Sequence, residues 1–437
     1  MNKFHGLFTT AIFLLVMFLV LLNIFTPLRL NNDSIRYLHI VEYLNGNFDK
    51  NSQVAHDFLP HGYSLLLFFF EKIHLLCPAV ITLTNIFCVL ASSYILAKLL
   101  KIENKLIYFS TIMISFINIK EFTLPVSDQF FALLFIWSIY LWVTFFTGRL
   151  YFIIPALIIT AISIYFRTAG VAIVIGVALY IIYLNKKFIL NKKILLGFIA
   201  ILVVFFIIIF IGNLSFFEKK VDYIRQLEIE RIVKNPFSII KRLSIHFREI
   251  GEVTINIPYS KLSSFIRVKG FDISLVILIV AGIVSLYIIC KSVAYLKLYN
   301  SFVFWAFLSY LMMIFLWPFS DTRFLIPVIP LFIYLFYHYI STLFKIGYIN
   351  ILQVALYVSF GLISLVYSDI LSLNKSFFLK HYGFDPQLTE HYRIHFRNQT
   401  LSASQKPVYD IIKDNELYLL EKYDTNPLTA KFNGAAK

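Results

Sequence analysis

The chain has 437 residues, of which 59% are hydrophobic and only 14% charged, with a net charge of +15. A soluble domain carries roughly 25% charged residues and could not cover so apolar a chain with polar surface. This composition excludes a soluble enzyme, a disordered chain and a disulfide scaffold, and its mean hydropathy of +0.78 points to a polytopic membrane protein. Cys77, Cys88 and Cys290 lie in or beside apolar runs and are not spaced as metal ligands. The excess of basic residues is read as loops that orient spans and face anionic lipid, with no nucleic-acid partner.

Taken in chain order, apolar runs predict about eleven spans, at 7–28, 79–99, 105–119, 129–147, 150–166, 168–184, 194–212, 272–290, 301–317, 324–341 and 349–368. The run Leu7–Phe25 is too long for an ordinary signal-peptide core, so it is read as an uncleaved first span. Lys98, Lys101, Lys105, Arg149, Lys186, Lys187, Lys192, Lys193, Lys291, Lys297 and Lys345 fall in short loops on one side. The opposite short loops carry only Lys120, Arg167 and Arg323. The positive-inside rule then places the amino terminus in the cytoplasm and the carboxyl terminus outside.

Three longer segments are expected outside. Residues 29–78 hold an apolar run, Gly62–Phe70, too short to cross and read as a juxtamembrane helix. Residues 213–271 are rich in basic side chains, and Phe217–Ile250, interrupted at Asn235–Pro236, reads as an amphipathic helix able to lie on the lipid surface. Residues 369–437 are read as a small folded extracytoplasmic segment following a membrane domain at 1–368. There, Val408–Tyr423 shows helical periodicity through Ile411, Ile412, Leu417, Leu419 and Leu420.

The outer loops concentrate the polar groups that could do chemistry. Asp33 follows the first span, where it is an N-cap, a first-turn acid, or a general base held at the membrane surface. Tyr37 is four residues on and shares its helix face. His56, Asp57 and His61 precede Tyr63 in a polar stretch read as an acceptor-binding loop; the two histidines leave a divalent metal open, although no cofactor is firmly predicted. Asp128 opens the fourth span, as its cap or as a second site carboxylate. Arg167 lies between two spans, placed to snorkel or to bind a lipid-linked phosphate. Arg323 precedes Pro327 and Pro330, a pair that breaks regular backbone hydrogen bonding. It reads as a phosphate clamp or as one half of an Asp321–Arg323 pair.

The order of these features resembles the polytopic glycosyltransferases of the GT-C fold, and most of all their bacterial branch of aminoarabinose transferase and protein O-mannosyltransferase-like enzymes (glycosyltransferase family 39-like). Asp33 with Tyr37, the stretch Leu59–Pro60–His61–Gly62–Tyr63, Asp128 at the end of the second outer loop, Arg167 followed by Gly170, and Arg323–Phe324–Leu325–Ile326–Pro327–Val328–Ile329–Pro330 carry the resemblance, over about residues 7–345. Ser34 and His61 depart from the usual pattern.

The resemblance implies an all-α GT-C membrane fold and an inverting transfer of a sugar. The donor is a polyprenyl-phosphate-sugar and the acceptor a lipid (lipid A among them), glycan or protein outside the cytoplasm. The home is a bacterial inner membrane, with membrane lipids as further partners. Asp33 would act as base and Asp128 would orient the acceptor or the basic groups. Arg323 and Arg167 would hold the phosphate, while Tyr37, His56, His61 and Tyr63 would line the acceptor. An O-antigen polymerase or ligase, a lipid-linked-sugar transporter and an inactive scaffold are the rival readings.

Overall fold

A computed structural model describes residues 2–48, 52, 54, 57, 59–186, 196–197, 200, 235, 237–266, 272–343, 348–382, 386–397 and 416–425. Every regular element among them is helical. Among the described residues five helices are long and apolar enough to cross a membrane: Gly6–Phe25, Pro78–Leu99, Asp128–Phe146, Ile273–Tyr295 and Gln353–Leu373. Shorter apolar helices run over Leu150–Phe166, Thr168–Leu184, Phe302–Leu316 and Thr322–His338. Their apolar faces stay open, with Phe18, Phe87, Ile154, Val280 and Ile363 more than half exposed. An exposed apolar surface of this extent fits a multi-span membrane protein, whose solvent is hydrocarbon. Of the expected span at 194–212, only residues 196–197 and 200 are among the described residues.

One expected span takes a different form. Over 105–119 the chain makes two short helices, Lys105–Met113 and Phe116–Phe122. Asn256, far along the chain, enters the break. Its side chain accepts from Phe116 N–H at 2.7 Å and donates to the Ile114 carbonyl at 3.0 Å. A side chain inserted into a helical ladder replaces its bonds and ends it there.

The chain divides into two compact units. The first holds residues 1–87, 119–127 and 363–437. Its core joins the first helix to the last long one through buried polar groups. Asn23 donates to Asp369 at 2.7 Å, and the fully buried Arg29 donates to Ser368, Ser372 and Thr26. An arginine among apolar helices persists only when its donors are satisfied, as they are here. The carboxyl-terminal segment clasps the first outer segment. The Tyr392 hydroxyl accepts from Leu30 N–H and donates to the Leu28 carbonyl, and Lys422 bridges Glu42 and Glu71 at 2.6 and 2.8 Å. Leu419 and Leu420 are buried on the inner face of the helix Glu416–Tyr423; Ile411 and Ile412 lie outside the described residues.

The second unit holds residues 88–118 and 128–362. Its helix Phe237–Ile255 is amphipathic as expected, but its inner face does not rest on lipid. It packs on Ile273–Tyr295 and buries Arg242, His246, Glu249 and Glu252. Two glycines allow this. A Cβ on Gly251 would strike the Leu278 carbonyl oxygen, and one on Gly282 the Phe247 carbonyl oxygen. Small residues facing one another let helix backbones approach closely.

Candidate functional site

In the second unit, the helix Ile153–Phe166 stops where Arg167 turns extended, with φ −156° and ψ 128°. A 3-10 turn, Thr168–Gly170, follows, and Gly170 is needed because a Cβ there would meet the Ile164 and Ser163 backbone below 3.0 Å. The turn leaves the Arg167 guanidinium projecting at the helix end. There it forms a close ion pair with Asp128, in the first turn of Asp128–Phe146. Asp128 is almost wholly buried, and this charged partner is what makes its burial tolerable.

Arg323 reaches the same place from another element. The helix Phe302–Leu316 ends before Pro318, and Asp321 caps the 3-10 helix Thr322–Val328 by accepting from Arg323 N–H at 3.1 Å. The other oxygen of Asp321 lies 2.6 Å from Arg323 Nε. Pro327 falls inside the 3-10 helix, and Tyr108 donates to the Pro330 carbonyl at 3.0 Å. The expected break in regular backbone is therefore present and is met by a neighbouring side chain.

Phe324 brings the two arginines together. The Arg167 guanidinium carbon lies 5.0 Å from the Phe324 ring centre and that of Arg323 lies 5.6 Å from it. Phe131 faces Arg167 as well, at 6.0 Å. Tyr310 fixes the ring from behind by donating to the Phe324 carbonyl at 2.9 Å. Each such cation–ring contact is worth about 0.5–2 kcal/mol and orients a guanidinium without using up all its donors. Two arginines meet on one aromatic ring, Arg167 beside Asp128 and Arg323 beside Asp321, and guanidinium forks suit an anion with several oxygens.

In the first unit, Asp33 sits in the opening turn of Asn32–Leu44. It is not the cap. Asn31 accepts from Ser34 N–H and Ser34 returns the bond, so the helix start is satisfied without Asp33. Asp33 lies 3.8 Å from Arg36, whose fork is held by Asp57 through two bonds of 2.7 Å. A residue not singled out from the sequence, Arg36, thus ties Asp33 to the polar stretch before Gly62. Its place three residues after Asp33 was the available signal. Tyr37 is buried, bonds Ser127 Oγ at 2.9 Å and meets Tyr63 edge-on at 5.1 Å. His61 is buried too, just before the helix Gly62–Lys72. Tyr37, Tyr63 and His61 are therefore packed side chains in this structure. His56 lies outside the described residues. Among the described residues no three His, Cys, Asp or Glu side chains converge as metal ligands.

Set against family models, curated proteins and solved structures, the chain matches none of them.

The sequence reading also missed the inner face of Phe237–Ile255. Arg242 donates to the Leu316 carbonyl at 3.0 Å, and His246 Nε2 lies 2.8 Å from the Trp317 carbonyl oxygen. His246 Nδ1 lies 2.8 Å from Glu249. Both His246 partners are oxygens, and the backbone carbonyl can only accept. Glu252 accepts from Arg248 Nε and from Tyr259 N–H, each at 3.0 Å. Burial nevertheless pushes its carboxyl up from 4.5 to about 7. The protonated form is the one the fold favours. Its contribution to stability is full below pH 4.5 and is lost as pH rises through about 7. Melting curves of wild type and Glu252→Gln should therefore diverge across that window, wild type losing stability relative to the variant as pH rises. Parallel curves would refute the assignment.

Proposed function

We propose that the protein is an inverting glycosyltransferase that moves a sugar from a polyprenyl-phosphate carrier to an acceptor hydroxyl. The observation that carries this reading is the pairing of Arg167 and Arg323 about Phe324, at the ends of apolar helices. An anion anchored in a membrane by an apolar tail fits such a place. A groove of about 440 Å³ lined by Val276, Ile277, Val280, Val284, Ile288 and Phe336 offers hydrocarbon-compatible surface on the same unit.

In this reading the acceptor oxygen bonds to the anomeric carbon as the carbon–phosphate oxygen bond breaks. The bonding electron pair leaves with the phosphate, where Arg323 and Arg167 offset the growing charge. The acceptor proton passes to a carboxylate base, the role proposed for Asp33 from its place in the sequence. Asp128 holds Arg167 in place. One displacement inverts the anomeric carbon. The site faces the exterior of a bacterial inner membrane, with the amino terminus cytoplasmic.

The cleanest test removes Arg323, because its partner Asp321 is partly exposed and tolerates the loss, whereas losing Arg167 would strand the buried Asp128. Arg323→Ala is expected to weaken binding of polyprenyl phosphate by roughly 10- to 100-fold, measured by titration into detergent-solubilised protein. Unchanged affinity would dismiss Arg323 as a phosphate ligand. A polyprenyl alcohol without phosphate should bind wild type and variant alike.

A further inference from the structure

The residues Trp317–Asp321 join the helix Phe302–Leu316 to the 3-10 helix that begins at Thr322. Pro318 lacks an N–H, so this connection cannot be stiffened by a continuous helical ladder. It is held from outside, by one helix. Arg242 and His246 take the carbonyls of Leu316 and Trp317, and Arg248 Nη2 donates to Ser320 Oγ at 2.5 Å. Ser320 directly precedes Asp321, whose carboxylate holds both the backbone N–H and the Nε of Arg323.

We infer that Arg248 is a positioning residue, which sets the Arg323 guanidinium for the lipid phosphate by gripping Ser320. The inference rests on the transferase reading and deepens it. Arg248 is itself well placed to be a fixed point. Its Nε donates to Glu252, its guanidinium faces the Tyr259 ring at 4.9 Å, and Glu249 lies 3.9 Å away. An arginine can bond Glu252 through one donor and Ser320 through another, from one rigid plane; lysine offers a single nitrogen for both. The grip acts at a distance from the ligand, but small displacements of a charged group from its working position carry large costs.

Removing Arg248 also takes a partner from the buried Glu249 and Glu252, so Ser320→Ala, which leaves those pairs intact, is the arm that isolates the grip. The experiment titrates polyprenyl phosphate into full-length wild type, Arg248→Ala, Ser320→Ala and Ser320→Thr, and repeats Arg248→Ala in an Arg323→Ala background. Melting temperature and hydrogen exchange over 316–324 are followed in parallel. Arg248→Ala and Ser320→Ala should each weaken binding ~10-fold and speed exchange in that segment, while Ser320→Thr keeps the hydroxyl and the affinity. In the Arg323→Ala background, where Arg167 keeps residual binding measurable, Arg248→Ala should cost nothing more. A further loss there, or wild-type affinity in Arg248→Ala, overturns the positioning role and leaves the transferase reading standing. Absence of polyprenyl-phosphate binding by wild type itself defeats that reading and this inference together.

Discussion

Asp33→Asn is expected to lower sugar transfer at least ~100-fold while leaving binding of polyprenyl phosphate intact. The substitution removes the negative charge and the proton-accepting oxygen at nearly constant shape. It leaves the helix start alone, because Asn31 and Ser34 form the capping box. It also leaves Arg36 engaged with Asp57 through both bonds. Stability should fall by about 1 kcal/mol or less, since the half-buried Asp33 loses its charge beside Arg36 but not its place in the helix. The measurement is transfer in proteoliposomes from a panel of radiolabelled polyprenyl-phosphate sugars, with membrane extract as acceptor. Equal transfer by wild type and variant would take Asp33 out of the mechanism. No transfer by a folded wild type would favour the polymerase, transporter or inactive-scaffold readings.

Gly282→Ala should be the most damaging small substitution in the second unit. Its new methyl group would overlap the Phe247 carbonyl oxygen, which belongs to a helix backbone and cannot rotate away. Relief requires the helices Phe237–Ile255 and Ile273–Tyr295 to move apart along their length. The same holds for Gly251→Ala against the Leu278 carbonyl. Overpacking a core usually costs about 1–3 kcal/mol, and a methyl group driven into a helix backbone belongs at or above the upper end. Gly6→Ala serves as the control, since nothing lies within 4 Å of its Cβ position. Thermal unfolding in detergent should show a fall for Gly282→Ala and none for Gly6→Ala. A Gly282→Ala protein as stable as wild type would show that the two helices do not pack this closely.

Several features of the fold were legible because they depend on local pattern. Runs of apolar residues of sufficient length can only be helices in hydrocarbon, where each backbone group needs a partner within its own segment. That reasoning covers the five long apolar helices, the helix from Gly62, and the broken backbone around Pro327 and Pro330. The helical start after Asn31 was legible for the same reason, although the choice between Asp33 and Asn31 as its cap depended on backbone angles. Asp128 opening its helix and Arg167 closing the preceding turn's register were visible as charges at the ends of apolar runs.

The sequence by itself determined, then, that the chain is helical, membrane-spanning in character, and charged at the mouths of its helices. Only the tertiary structure decided which charges meet. Arg167 and Arg323 are 156 positions apart in chain numbering, and no periodicity links them; the Phe324 ring does. Asn256 splits the expected span at 105–119 from far along the chain, and Lys422 reaches back to Glu42 and Glu71. The helix Phe237–Ile255 makes the physical reason plain. Its amphipathic pattern showed that one face differs from the other, but a pattern along one helix carries no information about what covers that face. Gly251 and Gly282 seat one face of this helix on Ile273–Tyr295, and the buried polar side chains of another face hold the Trp317–Asp321 connection.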